Sequence, residues 1–425
     1  MKKILKGLGI LLAILVIVFA IFYFKNNESL PLGKKGKEAD ELATKMLSAL
    51  NYENYKNTEF LEWSFKEKYQ YKWNKLENTV IVSWDENTIF LDTKNTNNSK
   101  VISSSKNADK QKLIETATAC FNNDSFWLIA PYKVFDKGVE RRIVNYKGKD
   151  ALLITYNSGG TTPGDSYLWI LDENGKPTSY KMWVNIIPIG GIEATWNNWI
   201  TTNTGAQLPE KHLINLFGIE LNMGNVKTSN PKADQFANSI LKSINHDAYK
   251  KTRYLEWSFG GRRSFKWDKQ KHIAEVSWKN HKVILYPNNK EKSTLFTNDK
   301  ETLENKSKLV KQAEDIFNND SFWLVAPHKL FEKGIIRNIV KIDGKEALKV
   351  TYTTGGTTPG DSYIWIVNND FLPVKYLMNV PSMKMKQVPA TWEDWITTDS
   401  GTLLPKNHIF SSGRNLSMGE VKGYN

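Results

Sequence analysis

The sequence predicts an α+β protein with two tandem antiparallel-sheet domains behind a single N-terminal transmembrane helix. Three observations support this fold class. Long stretches of sequence recur once and in the same order, which indicates a duplication. Each copy contains short alternating segments rich in aromatic and β-branched residues, a pattern typical of strands, and two segments with helical spacing. The chain also begins with an uninterrupted apolar run, Gly7 to Phe24.

The apolar run is flanked by lysines on both sides. A helix of roughly 18 residues rises about 27 Å, close to the hydrocarbon thickness of a bilayer. We interpret residues 1–24 as an uncleaved anchor, because bulky Ile21 to Phe24 stand where a cleaved signal peptide would carry small residues. Cleavage remains the alternative. A very short basic tail is easier to retain than to translocate, so the domains are expected on the periplasmic side of the cytoplasmic membrane.

Two motifs mark the duplication. Asn123–Leu128 recurs as Asn319–Leu324, and the stretch Gly159–Tyr167 recurs intact from Gly355. A repeat of this length is a whole domain, because solenoid units span only about 20–50 residues. The predicted organisation is an anchor (1–24), a basic tether (25–36) and two β-rich repeat domains (37–228 and 229–425).

Each repeat is expected to open with one helix and to hold a second near its middle. In the first repeat, Lys37–Leu50 and Asp109–Phe121 carry apolar residues at helical spacing. Asp124 is expected to cap or turn the chain where the second helix ends. Asn174-Gly175 predicts a two-residue hairpin turn. Strands are predicted at Phe60–Phe65, Tyr69–Trp73, Thr79–Trp84, Ile89–Asp92, Phe126 onward, Arg142–Tyr146, Ala151–Tyr156, Ser166–Leu171, Ser179–Val184 and Glu193–Ile200.

Composition excludes several classes of function. The net charge is +13, but the chain has neither a clustered basic stripe nor a groove-reading motif, so no nucleic-acid partner is expected. The single cysteine, Cys120, rules out an intrachain disulfide and a thiolate metal site, and we interpret it as a small buried hydrophobe. No two histidines stand at metal-ligand spacing with a carboxylate between them. No metal or cofactor is therefore expected.

Catalysis is weakly supported. The repeated Gly-Gly-Thr-Thr-Pro-Gly-Asp-Ser-Tyr stretch lacks the Lys-Ser/Thr of a phosphate-binding loop and is interpreted as a turn. Ser166, Asp165 and His212 could form a hydrolase triad, but neighbours on one strand face opposite ways and no nucleophile elbow is present. Asp124 with Asp165 or Glu193 could serve glycoside hydrolysis, but spacing along the chain does not show convergence. We assign no catalytic residues and expect no enzyme.

The tryptophans give a sharper hypothesis. The chain has 15 of them, most in strand-like segments, and many must be core. A sheet this aromatic could also present an apolar concave face that takes an acyl chain or stacks on sugars. The predicted ligand-binding residues are Trp63, Trp73, Trp84, Trp127, Trp169, Trp183, Trp257, Trp267, Trp278, Trp323 and Trp365.

The order of helix, meander strands, middle helix and further strands resembles the LolA/LolB-type lipoprotein-carrier superfamily. The Phe-Trp-Leu-x-x-Pro stretch, at Phe126–Pro131 and Phe322–Pro327, is also similar to envelope proteins of that superfamily. The resemblance covers both repeats and implies a curved half-barrel sheet with helices on one side, binding lipid or acyl chains without catalysis. Such carriers usually have one domain and place an Arg inside the barrel. Arg141, Arg142 and Arg337 lie in predicted strands, and no motif assigns that role to any of them.

The sequence thus predicts a membrane-anchored, non-enzymatic envelope protein that holds an apolar ligand in a half-barrel cavity of each repeat. Its expected partners are the membrane and a lipid, acyl chain or lipoprotein, and its oligomeric state is left open. The main alternative is a glycan- or protein-binding module that uses exposed Trp. A hydrolase is the third interpretation.

Overall fold

The computed structural model describes residues 2–158, 163–353 and 360–425, and in the first helix the side chains of Leu8 and of residue 11 onward. The opening residues of the repeated Gly-Gly-Thr-Thr motif, 159–162 and 355–358, therefore lie outside the described residues. The chain divides into two compact units, Met1–Ser229 and Asn230–Asn425. Each unit is described by itself below.

Unit 1 contains helices α1 to α4 and strands β1 to β15. The helices are α1 (Lys2–Asn26), α2 (Lys37–Ala49), α3 (Tyr52–Lys56) and α4 (Lys110–Ile129). The strands are β1 (Phe60–Phe65), β2 (Tyr69–Asn74), β3 (Thr79–Trp84), β4 (Asn87–Asp92), β5 (Lys100–Ser103), β6 (Val139–Tyr146), β7 (Lys149–Tyr156), β8 (Ser166–Leu171), β9 (Pro177–Trp183), β10 (Ile192–Thr195), β11 (Trp199–Thr201), β12 (Gln207–Pro209), β13 (Lys211–Ile214), β14 (Ile219–Asn222) and β15 (Lys227–Ser229).

Unit 2 contains helices α5 to α7 and strands β16 to β31. The helices are α5 (Pro231–Ser243), α6 (His246–Lys251) and α7 (Lys306–Val325). The strands are β16 (Tyr254–Phe259), β17 (Arg263–Asp268), β18 (Ile273–Trp278), β19 (His281–Leu285), β20 (Thr294–Thr297), β21 (Lys300–Glu301), β22 (Ile335–Ile342), β23 (Lys345–Tyr352), β24 (Ser362–Val367), β25 (Pro373–Val380), β26 (Met385–Thr391), β27 (Ile396–Thr397), β28 (Leu403–Leu404), β29 (Asn407–Ile409), β30 (Asn415–Ser417) and β31 (Lys422–Tyr424).

Two antiparallel sheets in unit 1 are joined along one edge. Their strand orders are β15-β1-β2-β3-β4-β5 and β14-β13-β10-β9-β8-β7-β6. The link is β1, because Ser64 N donates to Met223 O (3.0 Å) and Lys66 N donates to Asn222 O (2.9 Å) at the end of β14. The strands of the two sheets therefore follow one another without a break in hydrogen bonding. A separate two-stranded ribbon, β11-β12, completes the unit.

Unit 2 has the same kind of link. One sheet runs β21-β20-β19-β18-β17-β16-β31, and another runs β22-β23-β24-β25-β26. Ser258 N donates to Met418 O (2.9 Å) and Gly260 N donates to Ser417 O (2.8 Å), so β16 reaches the β29-β30 hairpin. A bridge between Ala390 and Phe410 connects that hairpin to β26. The α+β class with antiparallel sheets is thus as the sequence predicts.

The middle helix of unit 1 packs against both sheets. Phe121 of α4 lies against Trp63 and Trp73 of the first sheet, with ring centroids 6.2 and 5.4 Å apart. One turn later, Phe126 lies 4.8 Å from Tyr167 of the second sheet. Side chains from both sheets, α2 and α4 form one hydrophobic cluster. The joined sheets therefore surround a common interior that α4 helps to close.

Helix α4 is longer than the sequence predicts. It begins as expected, because the Asp109 side chain accepts hydrogen bonds from Gln111 N and Lys112 N. It then continues through Asp124 and Trp127 and ends only where Pro131 follows. The prediction that Asp124 ends the helix and that Trp127 lies in a strand was wrong. The buried positions Phe121, Asp124, Ser125 and Leu128 keep helical spacing, which outweighs the turn-forming character of Asn-Asp-Ser.

Most predicted strands of the first repeat are confirmed to within two or three residues. The predicted strand Glu193–Ile200 is two strands, β10 and β11. Strands β5 and β12 to β15 are absent from the prediction, and all of them are only three or four residues long. The turn after β8 is not the expected two-residue type, because Gly175 has a φ of 89° whereas Asn174 has no positive φ. Instead, Asp172 Oδ1 accepts hydrogen bonds from Asn174 N and Lys176 N.

Two arginines tie the opening helix of each unit to its sheet. Arg141 Nε donates to Asp40 Oδ1 on α2, and its Nη1 donates to Val134 O (2.8 Å). Arg337 Nε makes the matching bond to Asp234 on α5 (2.7 Å). Both guanidinium groups are therefore occupied by the fold itself.

The predicted anchor lies within α1. No helix among the described residues is long and apolar enough to cross a membrane. The transmembrane helix predicted from Gly7 to Phe24 is therefore without support in the structure. At Gly7, Gly9 and Ile10 only the backbone of that run is described.

Replacing Leu128 by Ala should destabilise unit 1 by about 2–5 kcal/mol, because the side chain is fully buried where α4 meets the interior. Leu324→Ala is the matched change in unit 2 and should have a similar effect. Leu76→Ala, at a side chain that is 57% exposed, serves as the control. Urea unfolding measures all three, and equal stability of the Leu128 and Leu76 variants would contradict this packing.

Candidate functional site

The tryptophans predicted as ligand-binding in unit 1 fall into two groups. Trp63, Trp84 and Trp169 are buried in the interior cluster, and Trp73 and Trp127 pack against it half-buried. Trp183 is separate from them. It packs on a small cluster of Val144, Ala151, Leu153 and Leu168, and its Nε1 donates to Glu28 O (2.7 Å). Sequence alternation did not reveal that Trp183 belongs to this second cluster.

In unit 2 the core forms two hydrophobic clusters. Trp257, Trp267 and Trp278 are buried in the first cluster with α7. Trp365 is buried in the second cluster with α5. Trp323 of α7 packs half-buried against both clusters and connects them.

The aromatic rings interlock. Trp63 stacks on Tyr71 with centroids 4.6 Å apart, and Trp169 meets Trp196 edge-on at 4.9 Å. The corresponding contacts in unit 2 are Trp257 with Phe265 (4.6 Å) and Trp365 with Trp392 (5.0 Å). The interior is thus filled by side chains in this structure.

Six of the predicted tryptophans share an unusual feature. Their indole Nε1 atoms are buried and have no hydrogen-bond partner among the described residues. Edge-on aromatic neighbours offer ring faces, which are weak acceptors compared with oxygen. A buried donor without an acceptor costs about 1–3 kcal/mol. The six form three matched pairs across the units: Trp63 and Trp257, Trp73 and Trp267, and Trp169 and Trp365.

A buried carboxyl group on the middle helix faces the first sheet in both units. In unit 1, Asp124 accepts hydrogen bonds from Tyr71 OH (2.5 Å) and Asn123 Nδ2 (2.8 Å). In unit 2, Asp320 accepts bonds to both oxygens from Arg263 Nη1 (2.9 and 2.8 Å). Burial raises the pKa of both carboxyl groups above the usual value. These groups are satisfied within the protein, and sequence analysis had given Asp124 only a capping role.

His212 has a structural role that the sequence explains. Pro131 follows Trp127 by four residues and has no N–H, so the Trp127 carbonyl lacks its helical donor. His212 Nε2 lies 2.7 Å from that oxygen, and Nδ1 lies 2.7 Å from Thr195 O. Burial nevertheless lowers the pKa of His212 to about 4, against the effect of the two carbonyl bonds. His408, at the equivalent place, has its Nδ1 2.9 Å from Thr391 O.

The candidate triad does not assemble around His212. Both of its ring nitrogens face backbone carbonyls, while Ser166 Oγ lies 2.8 Å from Thr155 Oγ1. Glu193 accepts a hydrogen bond from Ser179 Oγ (2.6 Å).

Among the residues that the structure describes, no group of three His, Cys, Asp or Glu is placed to hold a metal ion. Cys120 is half-buried, and burial raises the pKa of its thiol.

Open grooves lie elsewhere. Four grooves of about 410 to 620 Å³ occur on the described surface, and none of them is lined by a tryptophan. All 15 tryptophans lie in described segments, and each is buried or half-buried. The fully exposed Trp that the sugar- or protein-binding alternative expects is thus not found among the described residues.

Comparison with known proteins gives little further guidance. No family model matches the chain, and no curated protein matches it. A DUF1329 family protein from Desulfovibrio piger is similar in structure at 9% identity and a TM-score of 0.25, over 45% of this chain and 92% of that one. A putative outer membrane lipoprotein-sorting protein domain from Vibrio parahaemolyticus gives 8% identity and a TM-score of 0.20, over 43% and 93%. With such low TM-scores, function has to be argued from this chain's own residues.

Acidification should destabilise the fold between about pH 6.5 and pH 4. Burial lowers the pKa of His212 and His408 to about 4 and that of His328 to about 3. In this range the unfolded chain binds more protons than the folded one. The contribution of these histidines to the free energy of unfolding is therefore complete above pH 6.5 and is lost as the pH falls. Each histidine should contribute up to about 3 kcal/mol. Urea midpoints measured from pH 7.5 to 4.5 test this.

His212→Gln should flatten that pH profile, because an amide keeps a donor for the Trp127 carbonyl and does not titrate. His272→Gln, at an exposed position, is the control and should leave the profile unchanged. A profile that is as steep in His212→Gln as in the wild type would contradict the assignment.

Asp320→Asn should cost more stability than Asp124→Asn. At position 124 an amide can donate to Tyr71 OH and accept from Asn123, so a loss below about 1 kcal/mol is expected. At position 320 an amide offers the Arg263 guanidinium one oxygen instead of two, and a charge-assisted bond is worth about 1.5–3 kcal/mol. Urea unfolding at pH 7 compares the pair, and the reverse ranking would contradict the two arrangements.

Proposed function

We propose that each unit binds an apolar ligand, a lipid or the acyl part of a lipoprotein, within the interior enclosed by its two joined sheets. The protein would act as a non-enzymatic carrier or holder in the cell envelope. The observation that carries this proposal is the set of eight buried indole N–H groups without acceptors among the described residues, the six named above together with Trp196 and Trp392. They occupy the same four positions in both units, so they belong to the common design of the domain.

Native interiors leave few buried polar atoms without a partner, and such atoms call for an explanation. Four indole donors per unit, at about 1–3 kcal/mol each, are costly in an otherwise apolar cluster. A guest that supplies acceptor oxygens among apolar groups would remove that cost. Lipid esters and acylated peptides have this composition.

The interior favours uncharged acceptors. Among the described residues, Lys181 is the only buried cation, and it pairs with Glu28 beside Tyr146. Arg263, whose guanidinium reaches the interior of unit 2, is already paired with Asp320. A carboxylate or phosphate in the interior would therefore be expensive to bury. Ester or amide carbonyls meet the indole N–H groups without that cost. A charged headgroup would have to stay at the solvent-exposed rim.

Entry of a guest requires the interior to open, because its aromatic side chains are in contact with one another. Helix α4 is the element whose movement would open it, since Phe121 and Phe126 reach both sheets. Displacement of these rings would expose the indole edges of Trp63, Trp73 and Trp169 to the guest.

Replacing Trp169 by Phe should weaken binding of a fluorescent acyl ester about 2- to 12-fold, because one hydrogen bond worth about 0.5–1.5 kcal/mol is lost while the ring remains. Trp63→Phe should behave alike. Trp84→Phe is the matched control, since Trp84 is also buried in this cluster and its nitrogen is not among the unpaired donors. Fluorescence titration of the purified chain gives the affinities.

Native mass spectrometry and organic extraction of the purified chain provide an independent measurement. Co-purifying lipid at up to one molecule per unit is the expected result. Absence of lipid together with absence of probe binding would remove the proposal, and the unpaired indole donors would then be met by water or ring faces alone.

A further inference from the structure

A hairpin of unit 1 carries an exposed apolar tip. Strands β13 and β14 pair Lys211 with Asn222 and Ile214 with Ile219. The turn between them is closed by Phe217 N donating to Ile214 O (3.2 Å). Leu213, Phe217 and Ile219 are 40%, 48% and 44% exposed. Leu213 pairs with Glu220, one position from the Ile214–Ile219 pair, so its side chain points to the other face of the hairpin. Phe217 and Ile219 are thus the two large apolar side chains exposed at the turn itself.

The fold itself does not require this apolar tip. Strands β29 and β30 form the equivalent hairpin of unit 2, with a turn closed in the same way by Gly413 N donating to Phe410 O (2.9 Å). That turn carries Ser411, Ser412 and Arg414, all exposed. Ile409, the counterpart of Leu213, is also exposed (38%), so the two tips differ at Phe217 and Ile219, where unit 2 has Ser412 and Arg414. The hairpin therefore forms without apolar residues at those two places.

We propose that the β13-β14 hairpin of unit 1 is a docking element for a lipid bilayer surface. This inference rests on the proposed lipid-binding function and adds to it the place where the protein meets its ligand's source. The occupant is a bilayer, and three properties of the tip support this choice over a protein partner.

The first property is the size of the patch. Phe217 and Ile219 at about half exposure would cover roughly 200 Å² on burial, whereas a stable protein interface buries about 800 Å² on each partner. A bilayer needs no such area, because a few bulky side chains inserted below the headgroups bind reversibly.

The second property is charge. The chain carries a net charge of +13, which attracts it to anionic lipids. Lys211 and the Lys66 turn lie at the Asn222 end of the hairpin, away from its tip, because Lys211 pairs with Asn222 and Lys66 N donates to Asn222 O. Glu220 pairs with Lys211 at 3.4 Å, so the attraction comes from the net charge of the whole chain.

The third property is the connection to the interior. His212, on the same strand as Leu213, lies 2.7 Å from the Trp127 carbonyl near the end of α4. This helix closes the interior in which the ligand is proposed to bind. A bilayer in contact with the hairpin tip would therefore lie near α4, the helix that has to move, because the His212 side chain joins β13 to that helix.

Hydrogen–deuterium exchange of the whole chain, with and without vesicles of phosphatidylethanolamine and phosphatidylglycerol, tests the proposal locally. Amides of residues 211–222 should exchange at least about tenfold more slowly on vesicles, whereas those of residues 407–417 should be unchanged. The unit 2 hairpin is an internal control, and protection of α1 is read separately. Equal slowing in both hairpins, or none in residues 211–222, would overturn the proposal.

A matched pair of variants exchanges the tips. Phe217→Ser with Ile219→Arg gives the unit 1 turn the Ser-Gly-Arg sequence of unit 2 and should abolish the tenfold slowing on vesicles. Ser412→Phe with Arg414→Ile makes the reverse change and should slow exchange in residues 407–417. Persistent slowing in the first variant would overturn the proposal, as would protection that depends on protein concentration without vesicles, which would indicate a second copy of the chain.

Probe binding without vesicles separates the two proposals. The Phe217 and Ile219 variant should bind the acyl ester as the wild type does, because neither side chain belongs to the buried interior cluster. Normal probe binding with no hairpin protection would remove only the docking element. Absence of probe binding in the wild type would remove the proposed function itself.

Discussion

Each unit depends on one strand that forms hydrogen bonds on both of its edges. In unit 1 this strand is β1, which pairs with β2 on one side and reaches β15 and the end of β14 on the other through Ser64 and Lys66. Without that second set of bonds, two antiparallel sheets would each expose an apolar face. With it, the sheets surround one interior, and only the helices are needed to close it. The corresponding strand of unit 2, β16, makes the same connection.

The enclosed interior has a composition that packing alone does not explain. Aliphatic side chains would fill the space between sheets and helix without polar atoms, and at lower cost in unpaired donors. The chain instead places indole rings there, and pairs the carboxyl group of Asp124 with Tyr71. Polar edges directed into an apolar space are typical of sites that orient a largely apolar ligand. The functional proposal rests on these unpaired indole N–H donors in apolar surroundings.

Equivalent buried side chains have different partners in the two units. The buried carboxyl group of the middle helix faces a tyrosine hydroxyl in unit 1 and the Arg263 guanidinium in unit 2. Tyr55 stacks on Tyr132 in unit 1 at 3.9 Å, and the matching pair in unit 2 is Tyr249 with His328 at 4.1 Å. In each pair one residue is the same in both units and only its partner differs, and the buried group keeps a partner in both. The hairpin tips differ without any such compensation inside the fold.

Sequence alone predicted a duplication and determined the α+β class, the start of α4 at Asp109 and most strands of the first repeat. These features follow from local patterns of hydrophobicity, turns and caps, which neighbouring residues impose on one another. Tertiary structure decided the rest. Asp124 stays helical because Tyr71, distant in sequence, bonds its carboxyl group. Trp183 packs outside the interior cluster because Glu28 and the Val144 cluster are there to receive it. Which indole N–H groups lack an acceptor depends on every neighbour in space, and no pattern along the chain contains that information.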